Sequence, residues 1–142
     1  MIRRDTDEGL RMLVHLAGRR GQTISASQLS EALDVPRSFA LKILGRLVAR
    51  GLLEARAGRG GGFRFVKRPA DVSMMTVIEA VQGPPLLNRC MAGSGLCSRE
   101  GTCPISSKLL TIQRQLNRLL SRTTLADVVP PKPGRRKDED EG

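Results

Sequence analysis

With 142 residues the chain holds one small domain and at most an extension, and a lone core of that size buries only part of its surface. Its 24 Lys and Arg against 14 Asp and Glu give a net charge of +10, which attracts polyanions, while no apolar run approaches the roughly 18 residues of a membrane span. Three Phe with neither Tyr nor Trp leave few rings for stacking bases, so double-stranded DNA is the expected partner, ahead of RNA, single strands or a membrane. An odd number of cysteines and the charged residues Arg3, Arg4 and Asp5 at the start suit a cytoplasmic protein, where clustered thiols are more often metal ligands or redox groups than disulfides.

In chain order, Asp5 and Glu8 have capping-box spacing, and Leu10, Leu13, Val14 and Ala17 follow with helical period, which predicts a helix over 6–19. Ser25 and Gln28 repeat the box before a short helix over 26–33, and Asp34-Val35 turns the chain. Pro36 suits the first turn of a third helix that buries Ala40, Ile43, Leu44, Leu47 and Val48 and stops at Gly51. That is a helix-turn-helix. Residues 52–56 and 63–66 read as short strands around Ala57-Gly58-Arg59-Gly60-Gly61-Gly62, a hairpin that forms a basic wing; no Lys-Ser/Thr follows to make a phosphate loop. A fourth helix starts near Ser73, buries Val77, Ile78 and Val81, and stops at Gly83-Pro84-Pro85.

Ile105, Leu109, Ile112, Leu116 and Leu119 then recur at spacings of 4, 3, 4 and 3, the seam of two helices packed lengthwise, which predicts a homodimer; Leu110 and Leu120 are left to contact the chain's own domain. Thr124 and Asp127 cap a short final turn. From Pro130 the composition offers nothing to bury and reads as a disordered tail whose four basic and four acidic groups cancel. The expected fold is mainly α with a small β-hairpin, a winged helix-turn-helix plus a long C-terminal dimerisation helix. Its parts are a DNA-binding domain over 1–83, a cysteine loop over 84–104, the dimerisation helix and terminal turn over 105–129, and the tail over 130–142.

Opposite its buried stripe the third helix carries Arg37, Ser38, Lys42 and Arg46. Ser38 and Lys42 are the expected base contacts, with Arg37 and Arg46 on phosphates; Phe39 either touches a thymine methyl or staples the turn. From the wing, Arg56, Arg59 and Arg64 approach the backbone or minor groove. The loop holds Cys90, Cys97 and Cys103 among Gly93, Gly95 and Gly101, without the C-x2-C pair common in zinc sites. Its spacing fits an iron-sulfur cluster, yet leaves open zinc with a fourth ligand, a cluster-free thiol switch and merely buried cysteines. Three thiolates leave one iron needing another ligand. The sole histidine, His15, lies near an apolar stripe and Ser106 is a poor ligand, whereas Asp7, at the acidic start of the first helix, could reach a partner's loop. No Ser-His-Asp or Cys-His pattern suggests an enzyme; an iron-sulfur carrier using the same loop is the rival of another class.

Taken together, Thr6-Asp7-Glu8-Gly9-Leu10-Arg11-Met12-Leu13, Gly61-Gly62-Phe63, Val77-Ile78-Glu79-Ala80-Val81, the three cysteines and Thr124-Leu-Ala-Asp127 resemble the Rrf-two family of bacterial winged-helix regulators. The resemblance covers almost everything before the tail. It implies a dimer of crossing long helices, a cluster held by Cys90, Cys97 and Cys103, and DNA recognition through the third helix and wing. Members of the IscR-like branch carry a 2Fe-2S cluster and a histidine three residues after the last cysteine, where this chain has Ser106. The NsrR-like branch is matched at Asp7 and implies a 4Fe-4S cluster, completed by Asp7 of the partner subunit, that senses nitric oxide; the RirA-like branch implies sensing of iron supply. A transcription repressor is the expectation. Two departures stand out: Ala57 occupies the place of the family's usual wing arginine, with Arg56 and Arg59 beside it, and the tail is peculiar to this chain.

Overall fold

A computed structural model describes residues 1–131; the predicted tail falls, beyond residue 131, outside the described residues. The first helix, α1, runs Arg4–Ala17, displaced two residues toward the N-terminus from its predicted span. The predicted Asp5–Glu8 capping box does not form: Arg3 is the N-cap and makes no side-chain cap bond. Asp5 lies inside the first turn, where the helix dipole favours an anion, and its carboxylate accepts from Arg3 Nε at 3.0 Å and Arg46 Nη1 at 2.9 Å. Met12, Leu13 and Leu16 form the buried face, and Leu10 and Val14 sit at its edge, half-buried.

Helix α2, Ala26–Leu33, starts on the capping box read from the sequence, with Gln28 N donating to Ser25 Oγ at 3.1 Å and Ser25 N to Gln28 Oε1 at 2.8 Å. It ends at Asp34, the one non-glycine with positive φ among the described residues, at 53°. Helix α3, Arg37–Ala49, has Pro36 as its N-cap and buries Ala40, Ile43, Leu44 and Leu47. At its end Gly51, φ 71°, makes the left-handed turn, and Leu52 N donates to Leu47 O at 2.9 Å while Gly51 N donates to Val48 O at 2.9 Å, which closes the helix on its own last carbonyls.

The wing is an antiparallel pair, β1 Glu54–Arg56 and β2 Gly62–Arg64, shorter than predicted. Leu52 and Leu53 fall outside the ladder because both are drawn into the core. The hairpin is also pinned at its base: Ile24 and Phe63 exchange bonds, Ile24 N to Phe63 O at 2.9 Å and Phe63 N to Ile24 O at 2.8 Å. A Cβ on Gly62 would stand 2.4 Å from Ile24 O, so only glycine permits that approach. Phe65, fully buried, carries the end of the wing into the core.

Helix α4, Met74–Gln82, is capped by Ser73, which accepts from Thr76 N at 3.1 Å; it buries Val77, Ile78 and Val81 and packs on α1. Gly9 marks where α1, α3 and α4 come closest, since a Cβ there would lie 3.2 Å from both Ile43 and Val81. The loop that follows contains only a 3-10 turn at Arg89–Met91 before α5, Pro104–Arg122. Thr124 and Asp127 form the capping box of a last 3-10 turn, Leu125–Asp127, and Leu125 is buried in the core.

Along α5 the predicted seam divides into two faces. Ile105, Ile112 and Leu119, seven residues apart, are 64%, 52% and 64% exposed, whereas Leu109 and Leu116 are half-buried. Leu110, expected to contact the chain's own domain, is 42% exposed and borders the cavity of the cysteine loop; the side of α5 that meets the body is polar at its centre, where Gln113 is buried. Gln113 Nε2 donates to Pro85 O at 2.8 Å and its Oε1 accepts from Leu87 N at 2.8 Å, so the helix is tied to the start of the cysteine loop by hydrogen bonds.

Candidate nucleic-acid interface and cysteine site

On α3, Arg37, Ser38, Lys42 and Arg46 all lie on the exposed side. Their surroundings differ. Ser38 and Lys42 make no side-chain hydrogen bond or ion pair among the described residues. Arg37 Nε donates to Ser27 Oγ at 3.1 Å, which ties the start of α3 to α2. The Arg46 guanidinium is engaged twice, by Asp5 at 2.9 Å and by Val81 O at 3.0 Å, so it serves the junction of α1, α3 and α4 before any ligand arrives. Phe39 is half-buried, and the Arg4 guanidinium stands 5.6 Å from its ring centroid. Arg56 and Arg59 on the wing are exposed, and Arg64 is paired with Glu54 at 2.6 Å. Sequence reasoning passed over Leu41 and Gly45. Both are exposed, and with Ser38 and Lys42 they complete the outward face at intervals of three and four; Leu41 gives that face an apolar side chain.

Cys90, Cys97 and Cys103 are free thiols, each half-buried, and all three line one cavity of about 570 Å³. Cys103 is the N-cap of α5, and the Ser106 and Ile105 amides hold its thiol below the ordinary value, aided by Arg99. That favours the thiolate, the form that binds metal. Ser106 itself donates its hydroxyl to Cys103 O at 2.9 Å. Arg89 and Arg99 also border the cavity and supply positive charge around the sulfurs. Glu100, which sequence reasoning missed, folds the loop by accepting from Gly95 N, a glycine with φ 77°.

Among the described residues no three His, Cys, Asp or Glu side chains converge as the ligands of a single ion do. A polynuclear cluster distributes its thiolates over several irons, and three cysteines opening on one cavity are a donor set of the kind such a group uses. Asp7 does not border this cavity. It is exposed on the first turn of α1, accepts from Arg11 Nε at 3.1 Å, and opens on a separate groove along α1 with Leu10, Val14 and the half-buried His15. Burial, then Arg19, holds the His15 pKa below its ordinary value, which favours the neutral ring.

A helix-turn-helix with a pinned basic wing defines a winged-helix DNA-binding transcription regulator. Residues 2–131 match the Rrf2 family, described as iron-dependent transcriptional regulators, and the chain belongs to that family. It is 30% identical over 126 residues to the HTH-type transcriptional repressor NsrR of Streptomyces coelicolor, covering 87% of this chain and 84% of that one. To the HTH-type transcriptional regulator NsrR of Bacillus subtilis it is 29% identical over 129 residues, covering 89% and 88%. Among solved structures it is similar to CymR, the global cysteine regulator of B. subtilis, with a TM-score of 0.74 at 20% identity, covering 91% of this chain and 95% of that one. That likeness carries the fold. No helix among the described residues is long and apolar enough to cross a membrane.

Proposed function

We propose that this regulator is a homodimeric repressor whose DNA binding is set by a 4Fe-4S cluster held by Cys90, Cys97 and Cys103, with Asp7 of the partner subunit as the fourth ligand. The observation that carries the reading is the meeting of the three free thiols on one cavity at the root of α5. The resemblance to the NsrR-like branch, matched at Asp7, is what implies the cluster type and nitric oxide as the signal, and one relative is itself named a repressor. When bound, the cluster would be held by Cys90, Cys97 and Cys103 and would supply iron chemistry able to respond to nitric oxide.

The chain's own residues do the rest. Residues 1–83 form the DNA-binding unit, 84–104 the sensing loop, and 105–129 the dimerisation arm. Ser38 and Lys42 read base edges, Leu41 meets a thymine methyl, and Arg37, Arg56 and Arg59 contact phosphates. The exposed row Ile105, Ile112 and Leu119 packs against the same row of the partner, setting the two recognition helices about one DNA turn, roughly 34 Å, apart. Asp7 would tie the first turn of α1 to the partner's loop, and release of that tie would change the separation.

Anaerobic purification with iron and sulfide counts, followed by operator titration before and after nitric oxide, tests the reading. Cluster-dependent binding to a palindromic operator supports it; binding of zinc without sulfide, or tight cluster binding without operator preference as a carrier would show, contradicts it.

A further inference from the structure

Between the cysteine loop and the recognition helix lies a run of polar contacts that neither the DNA surface nor the thiol cavity uses. It begins where α4 ends and the loop starts. Gln82, the last residue of α4, accepts through Oε1 from Thr6 Oγ1 at 2.7 Å and from Arg3 N at 2.9 Å, and donates through Nε2 to Met1 O at 3.1 Å. The Met1 ammonium in turn donates to Leu86 O at 3.3 Å, inside the loop. Thr6 is fully buried, so its hydroxyl depends on Gln82 rather than on water.

The same turn of α1 carries Asp5, whose carboxylate gathers Arg3, the Thr6 amide at 3.0 Å and Arg46 from α3 at 2.9 Å. Arg46 closes the circuit on Val81 O at 3.0 Å, one residue before Gln82. With Gly9 letting the three helices approach closely just below, there is little slack for one to move alone.

We propose that Gln82, Asp5 and Arg46 are positioning residues that couple the cysteine loop to the recognition helix through the first turn of α1. This rests on the sensor reading above. Asp7 lies two residues from Asp5 on that same turn, so a pull on Asp7 from the partner's loop and a shift of the chain's own loop at Leu86 both act on one structural element, and Arg46 hands the displacement to the C-terminal half of α3. Arg46 then serves the switch more than it serves a phosphate.

The experiment is a ratio: operator affinity of cluster-loaded protein over that of cluster-free protein, for wild type, Gln82→Met, Asp5→Asn and Arg46→Lys, each with its salt dependence and thermal midpoint. Wild type should show a ratio in the range common for allosteric coupling, roughly 5–150-fold. Gln82→Met and Asp5→Asn should bring the ratio to within about threefold of one, with an unchanged salt slope. Arg46→Lys, which keeps the charge but cannot hold Asp5 and Val81 O together, should lose the ratio as Asp5→Asn does, and combining the two should cost no more than either alone. Should Gln82→Met fail to fold, the shape-preserving Asp5→Asn carries the same test. A wild-type ratio above fivefold that the variants retain overturns the proposal alone. So does Arg46→Ala lowering the salt slope by about one charge per subunit while the ratio persists, because Arg46 would then be a phosphate contact. A wild-type ratio of one overturns the sensor reading and this coupling with it.

Discussion

The winged-helix body and the cysteine arm are built on opposite terms. In the body, side chains from every helix through α4, from the wing and from the final turn meet in one core, with Met12, Leu29, Leu44, Phe65, Val77 and Leu125 wholly out of water. In the arm, no apolar side chain between Leu86 and Arg122 is buried, and the only buried residue on α5 is Gln113, a hydrogen-bonding tether. A helix with so little apolar surface covered is not held by the hydrophobic effect of its own chain. The body's core is closed by Leu125 from the turn beyond α5, whereas the arm between them buries no apolar side chain. Under the sensor reading proposed above, a signal that loosens the arm would leave the body's packing in place.

Several changes would break or sharpen this contrast. The largest effect is expected from Ile112→Asp, which puts a charge in the centre of the exposed row and costs the dimer several kcal/mol while the body stays folded. Light scattering at low micromolar concentration should report monomers; persistent dimers would move the interface off this face. Phe65→Ala strikes the other region, and by deleting a fully buried ring it should cost the body about 3–5 kcal/mol in denaturant unfolding.

Cys97→Ala should do the reverse of Phe65→Ala. Iron and sulfide are lost and operator affinity falls by about 1–3 kcal/mol, yet the thermal midpoint of cluster-free protein is unmoved. Lys42→Ala should remove about 1–3 kcal/mol of discrimination between operator and random duplex, whereas Arg59→Ala weakens both alike and flattens the salt dependence.

The smallest effect concerns acid. Arg3 foremost, then Arg46, holds the Asp5 carboxyl below its ordinary 3.8, so the unfolded chain takes up this proton first as pH falls. The stability Asp5 contributes is therefore present above pH 3.8 and lost as pH drops through the lower folded value. In cluster-free protein Asp5→Asn should lower stability by a fraction of a kcal/mol to about 1 kcal/mol at neutral pH, and flatten its loss in acid.

The body was the legible part of the sequence because its signals are local. The Ser25–Gln28 box, the Ser73 cap, and Gly51 and Gly83 at helix ends each act within a few residues, and each stands where its pattern placed it. The Asp5–Glu8 box misled because Asp5 is claimed from a distance by Arg46, forty-one positions away, which no spacing rule encodes. Leu52 and Leu53 were read as strand for a related reason, since burial in the core overrode their β preference. In the arm, the 4-3-4-3 pattern revealed an amphipathic helix but not that its row divides between a solvent face and a body face, nor that Gln113 provides the tether. The cysteine spacing announced a site. That the three thiols share a cavity with Arg89, Arg99 and Glu100 depended on the path of a glycine-rich loop that carries no periodic signal.

In the proposed mechanism one cavity of three thiols governs a body that folds without it. The direct test is an operator titration of anaerobically purified protein, with iron and sulfide counted on the same sample, repeated after nitric oxide. About four irons and four sulfides per chain, tight operator binding, and loss of that binding on nitrosylation with the body still folded are expected. Operator affinity indifferent to cluster content, or protein holding zinc and no sulfide, would contradict the mechanism.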